Sequence, residues 1–256
     1  MTKISPKRIR FFAGPNGSGK TTIINAVRKK KDVRLGCYIN ADDIERRLIQ
    51  SRKILLRFYN VEINDSEVFY KFVDKHGLTL KGKVPDLRSI LKVNRRSIAF
   101  TGKGKMNSYI AAVIADFLRE TLLNCLESFS FETVMSDERK VDLAKRAKEK
   151  GYRVYLYFVA TIDPEINIKR VSQRVKLGGH KVDSKLIRKR YERSLSLLYK
   201  MVRLTDRAYI FDNSGNEYEL VAEITGGKEL KISDSGKGIP NWFYNYFYKK
   251  AIRQKH

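Results

Sequence analysis

The stretch Gly14-Pro15-Asn16-Gly17-Ser18-Gly19-Lys20-Thr21 is a complete G-x-x-x-x-G-K-[ST] phosphate-binding loop, and the rest of the chain is read outward from it. Small residues let successive backbone N–H groups turn inward around phosphate oxygens. A helix starting near Gly19 aims its positive end at the same anion. In such a loop Lys20 reaches the β- and γ-phosphates, and the Thr21 hydroxyl takes one corner of a Mg²⁺ octahedron. Arg8 to Ala13 reads as a short strand entering the loop, and Thr22 to Arg28 as the helix leaving it, which is the context the motif requires. The expectation is a nucleoside triphosphate, ATP or GTP, held with Mg²⁺ by Gly14 to Thr22.

Beyond the loop, Leu35 to Ile39 predicts a second strand ending at Asn40-Ala41-Asp42-Asp43, with a helix from about Ile44. Helical spacing of Ile110, Val113, Ile114, Phe117, Leu118, Leu122 and Cys125 predicts a long helix over 108–127, capped by Ser108. Phe129 to Thr133 alternates like a strand. A basic helix over 137–150 is stopped by Gly151, and the aromatic and β-branched run 152–160 suits a buried strand. Asp163-Pro164 opens another helix, Leu177 to Val182 is a loop, Asp183 opens a helix to about Arg203, and Ala208 to Phe211 is a strand ending at Asp212-Asn213-Ser214. Strands alternating with helices imply an α/β fold of the P-loop kinase kind, a mainly parallel sheet flanked by helices. The basic stretch at about 51–107 carries turn signals and little regular pattern, and reads as an insertion. The expected organisation is one kinase-like domain over 1–228 followed by a basic, aromatic tail over 229–256 that docks as an amphipathic helix.

Composition excludes several classes. The chain has 256 residues, 42% of them hydrophobic and 11% aromatic, which is globular rather than disordered. The amino terminus has no apolar stretch to serve as a signal peptide and no later run approaches a membrane span, so a cytoplasmic protein is expected. Cys37 and Cys125 sit in apolar surroundings without metal-ligand spacing and read as core thiols. With 53 Lys and Arg against 28 Asp and Glu, the formal net charge is +25. Such a surface attracts polyanions: nucleic acid, an anionic membrane or an acidic protein partner.

A phosphate loop alone does not separate a motor, a switch and a kinase. In parallel α/β sheets chemistry comes from residues just beyond the carboxyl ends of the strands. Asp42 with Asp43, Glu132 and Asp212 stand there. A kinase needs a carboxylate to accept the acceptor's hydroxyl proton and cations to meet the charge on the moving phosphoryl group. Arg170, Arg174, His180 and Arg190 can supply those cations from a lid. An ATPase motor would show an apolar strand ending in Asp-Glu, and the sequence has none.

The pattern resembles the zeta toxin family of small-molecule kinases across most of the chain. The matching pieces are 13–22, Asn40-Ala41-Asp42-Asp43-Ile44, Phe131-Glu132-Thr133, Gly151-Tyr152, 170–175, Gly178-Gly179-His180-Lys181-Val182, Arg190-Tyr191 and Asp212-Asn213-Ser214. The resemblance implies phosphoryl transfer from ATP or GTP to a sugar hydroxyl, with UDP-N-acetylglucosamine the best-known acceptor, and toxicity neutralised by an antitoxin or immunity protein. It makes Asp42 the general base, Lys20 and Arg174 the γ-phosphate stabilisers and Thr21 the Mg²⁺ ligand. Glu132 becomes a substrate-binding acid, with Asp43, His180 and Arg190 beside it. Where the best-studied toxins place a second lid arginine this chain has His180, which leaves that role to His180 or Arg190, or leaves it unfilled. Two other readings stand beside it: a polynucleotide or nucleotide kinase whose basic surface holds nucleic acid, and a non-enzymatic, nucleotide-dependent effector that binds polyanions.

Overall fold

A computed structural model describes residues 6–177, 182–234 and 238–253. In chain order its elements are β1 (Arg8–Ala13), α1 (Lys20–Arg28), β2 (Cys37–Ile39), α2 (Ala41–Gln50), β3 (Lys53–Leu55), α3 (Ser66–Lys75), α4 (Gly77–Leu80), α5 (Leu87–Ile90), β4 (Leu91–Asn94) and β5 (Ser97–Phe100). They continue with α6 (Ser108–Asn124), β6 (Phe129–Thr133), α7 (Arg139–Glu149), β7 (Arg153–Ala160), α8 (Pro164–Lys176), α9 (Ser184–Arg203), β8 (Arg207–Asp212), β9 (Glu219–Thr225), β10 (Glu229–Ile232), α10 (Asn241–Phe243) and α11 (Lys249–Arg253). The chain forms two compact units, one of residues 1–34 with 132–256 and one of 35–131.

In the first unit the strand order is β10-β9-β8-β7-β1. β1 pairs parallel with β7, Arg8 opposite Arg153 through Ala13 opposite Phe158, and β7 pairs parallel with β8. β9 and β10 extend the sheet antiparallel. The expected α/β architecture with a mainly parallel sheet is present. Alternate residues Ile9, Phe11, Val154, Leu156, Phe158, Ala208 and Ile210 are fully buried on one face, which suits strands covered by helices. Helix α7 stops where Gly151 takes φ +79, a left-handed turn that glycine adopts without steric cost. The aromatic tail is helical: α10 runs into a π-helical turn over Tyr244–Tyr248 and then α11. It buries Trp242, Phe243 and Phe247.

In the second unit β2 pairs parallel with β6, and a separate three-stranded sheet has the order β3-β5-β4, antiparallel throughout. The stretch 51–107 is therefore more regular than its sequence suggests. Its strands are only three or four residues long, too short for alternation to stand out. Two helix starts also differ from expectation. Asn107, not Ser108, caps α6, its side-chain oxygen accepting from Tyr109 N and Ile110 N at 3.0 Å each. Helix α2 begins at Ala41 rather than Ile44, because Asn40 is its cap.

Cys37 is buried, as expected, and burial pushes its thiol pKa up to about 12. Cys125 is exposed, against expectation. It falls at the carboxyl cap of α6, where Leu126 turns the chain at φ +54 and the apolar stripe ends. Since the thiolate is the reactive form, a thiol reagent at pH 8 is expected to modify one cysteine rapidly, with the second appearing only on denaturation. Mass spectrometry of the Cys125→Ser protein checks the assignment: fast labelling should vanish. No helix among the described residues is long and apolar enough to cross a membrane.

Candidate functional site

β1 delivers the chain to Gly14 buried on both sides, and the loop that follows is held by groups far away in sequence. Asn167 on α8 donates from Nδ2 to Asn16 O at 2.6 Å, while its Oδ1 accepts from the Thr161 hydroxyl. Asn213, just after β8, donates from Nδ2 to Ser18 O at 2.9 Å. Gly14 N donates to Thr133 O at 3.3 Å. Both asparagines are buried, so each side-chain amide has its hydrogen bonds settled by the loop backbone, as a buried amide must. The loop is thus fixed from several elements before any ligand binds.

The glycines are needed at close range. A Cβ on Gly14, at φ +143, would lie 2.0 Å from the Val159 carbonyl oxygen, and one on Gly19, at φ +93, would lie 2.0 Å from Asn213 Nδ2. Gly14→Ala pits a methyl group against backbone in a conformation side chains avoid, and is expected to cost about 3 kcal/mol of stability. A thermal melt checks this. A Tm equal to that of the unmodified protein would show the loop to be less fixed than its contacts indicate.

Helix α1 starts at Lys20 with no side-chain cap and no acidic residue in its first turn. Its uncapped N–H groups and positive dipole end are left to an anion. Lys20 is 7% exposed. Its ammonium donates to Gly14 O at 3.0 Å and Pro15 O at 2.9 Å and stands 3.9 Å from the Glu132 carboxylate. Arg190 on α9 reaches the same loop, Nη1 to Asn16 Oδ1 at 3.4 Å. Thr21 and Thr22 are exposed on the first turn of α1. Four of the residues singled out from sequence, Asn16, Lys20, Glu132 and Arg190, therefore gather at the loop.

Arg170 does not. Its Nη1 donates to Asn213 O at 2.6 Å and its Nη2 to Gly215 O at 3.1 Å, which fastens the turn after β8. Gly19, Thr22, Arg170, Asn213, Asn216, Glu217 and Tyr218 line a groove of ≈ 690 Å³ beside that turn. Arg174, one turn on from Arg170 along α8, is exposed and makes no hydrogen bond or ion pair among the described residues. His180 lies outside the described residues. Asp212 accepts from Ser214 N at 2.8 Å and from the Trp242 indole N–H at 2.7 Å, so its carboxylate is a structural acceptor.

In the second unit Asn40 Oδ1 accepts from Asp42 N at 2.8 Å, so capping of α2 falls to Asn40. Asp43 is tied to Arg46 at 2.6 Å. The Asp42 carboxylate is exposed and has no hydrogen bond or ion pair among the described residues. Sequence reasoning missed Asn167 and the clasp made by Asn213. One signal was present for the first: Asn167 is a polar residue between two isoleucines near the start of α8.

A protein-family model described as Zeta toxin matches residues 80–219. A protein of Haemophilus influenzae is 35% identical over 63 residues, which are 25% of this chain and 45% of that protein. Among solved structures, the native AvrRxo1-ORF1:-ORF2 complex is similar with a TM-score of 0.56 at 16% identity, over 91% of this chain and 62% of that one. The same complex with ATP gives 0.51 at 17% identity, with the same coverage. The chain therefore spans less than two thirds of those structures, and its match less than half of the Haemophilus protein.

Proposed function

The chain belongs to the zeta toxin family, and from that premise we propose that it is a toxin kinase, moving the γ-phosphoryl group of ATP or GTP onto a hydroxyl of a nucleotide-sugar of the UDP-N-acetylglucosamine kind. The observation that carries the reading is the phosphate loop itself. Its backbone is clasped by Asn167 and Asn213, its helix end is uncapped, and the buried Lys20 ammonium is held beside Glu132. Phosphoryl transfer asks a protein mainly for positioning and for charge aimed at the transferring oxygens. Lys20 and Arg190 provide cations at the loop, and Arg174 is a further, unengaged cation on α8. The groove lined by Arg170 and Tyr218 takes the nucleobase, since it begins at Gly19 and Thr22 where the phosphates end.

Mg²⁺ fits this donor set. Among the described residues no cluster of three His, Cys, Asp or Glu could hold a metal, and Mg²⁺ bound with a triphosphate needs few protein ligands, because phosphate oxygens and water complete its shell. The exposed Thr21 hydroxyl would be the protein ligand, and the ion would neutralise charge on the phosphates. Asp42 is the general base that takes the acceptor's proton: Asn40 relieves it of capping, while Asp43 is held by Arg46. Glu132, with Asp43, His180 and Arg190, contributes to the acceptor side. An antitoxin or immunity protein is the expected partner, and the +25 charge favours an acidic one.

The test is incubation of the purified protein with γ-labelled ATP, Mg²⁺ and a panel of UDP-sugars, nucleosides, NAD and oligonucleotides. Label on a UDP-sugar supports the proposal. Label on a 5′ end replaces it with a polynucleotide kinase, and tight ATP binding without transfer to any acceptor leaves a non-enzymatic effector.

A further inference from the structure

Tryptophan occurs once in this chain, at Trp242, and its indole N–H is joined to the turn that clasps the phosphate loop. We propose that the carboxy-terminal aromatic segment is a positioning element of the nucleotide site, acting through Trp242, Asp212 and Asn213. The inference rests on the loop binding a nucleotide, as read above.

The connection is short and each part of it is fixed. Trp242 Nε1 donates to Asp212 Oδ2 at 2.7 Å, and Asp212 Oδ1 accepts from Ser214 N at 2.8 Å. Both oxygens of the carboxylate are thereby engaged on either side of Asn213. That residue is 8% exposed. Its own N–H donates to Ala160 O at 2.8 Å, its carbonyl accepts from Arg170, and its side chain donates to Ser18 O. It also packs so tightly on Gly19 that no Cβ fits between them. A small rotation of Asp212 would move Asn213 against Gly19, the residue that opens α1 and hence the anion site.

Trp242 is itself held independently of the loop. Its ring lies 6.1 Å from that of Phe158, the β7 residue opposite Ala13 at the end of β1. Phe243 stacks on Phe247 at 5.1 Å, and Phe247 meets Tyr199 of α9 at 5.7 Å. Tyr246 donates from its hydroxyl to Glu192, also on α9. Burial of these rings explains why the segment docks. It does not require the indole N–H to face Asp212, a bond to a charged group that is stronger than a neutral one. That bond serves the clasp.

Trp242→Phe keeps an aromatic ring while removing the donor and part of the buried indole volume, a packing loss that the thermal melt reads separately. The test compares it with the unmodified full chain by calorimetric titration with ATP·Mg, by steady-state kinetics and by thermal melting. Loss of one charge-assisted hydrogen bond is expected to weaken ATP binding and raise its KM about tenfold, with kcat changed less than about twofold. Trp242 emission in the unmodified protein is expected to shift when ATP·Mg binds, a readout that needs no variant and no correctly folded mutant. Asp212→Asn, which retains an acceptor oxygen, should restore part of the affinity lost in Asp212→Ala. Equal ATP affinity in Trp242→Phe and the unmodified protein overturns the inference while leaving the nucleotide reading intact. An unchanged Trp242 emission where calorimetry detects binding does the same. Failure of the unmodified protein to bind ATP overturns both.

Discussion

Lys20→Ala is expected to lower phosphoryl transfer by about 10³-fold or more, the effect of deleting a preorganised charge aimed at the transferring group. The side chain is almost wholly buried and its ammonium bridges two carbonyls of the loop and the Glu132 carboxylate. Truncation therefore has two consequences. The charge that meets the γ-phosphate is lost, and Gly14 O and Pro15 O lose a donor, a cost of about 1–3 kcal/mol in a buried setting. Lys20→Met removes the charge and the donor together but retains the apolar stem, so it tests the ammonium without the cavity that alanine leaves. Both variants should be inactive in a labelled-ATP assay, and expression of either should no longer arrest growth where the unmodified chain does. Retention of a tenth of the activity by Lys20→Met would exclude the role given to the ammonium.

Asp42→Asn is expected to lower transfer by about 10²–10⁴-fold, the usual worth of a positioned general base, while ATP affinity stays within about twofold. The substitution is close to isosteric and does not touch the start of α2, because Asn40 supplies the cap. Stability should therefore change by less than about 0.5 kcal/mol. Asp43→Asn is the control. It breaks an exposed pair with Arg46 worth about 0.2–1 kcal/mol and, on the acceptor side, should raise the acceptor's KM while leaving most of kcat. Transfer assays and ATP titrations on the two variants decide the matter: if Asp43→Asn is the silent one and Asp42→Asn the active one, the base has been misassigned.

The parts of the site legible in sequence are those encoded locally. The phosphate loop with its strand and helix reads directly, because glycine, lysine and threonine at fixed offsets leave few alternatives. So do most strands of the parallel sheet, long enough for their buried runs to show. The clasp was not legible, since Asn167 lies 151 residues from the Asn16 carbonyl it binds, and Asn213 lies 195 residues from Ser18. Pairings of that range come from topology, not from pattern. Arg170 and Arg174 look alike on one helix face. Only packing distinguishes them, one fastening the 213–215 turn and the other standing exposed. The short strands of 51–107 fell below the length at which a period of two declares itself, and the capping asparagines 40 and 107 were masked by acidic and hydroxyl neighbours that cap equally well.

The discontinuous first unit, 1–34 with 132–256, also sets a clock. β1 and the phosphate loop are made long before β7, the strand with which β1 pairs residue for residue from Arg8 to Ala13, and the loop is not clasped until Asn213 appears. Residues 35–131, a compact unit of their own, are made before either event, and domains generally fold as units during synthesis. Trp242 is made later still. Pairing of β1 with β7 and closure of the clasp therefore both wait for synthesis of the whole intervening unit, so the phosphate loop gains its native contacts late although its own residues are made early.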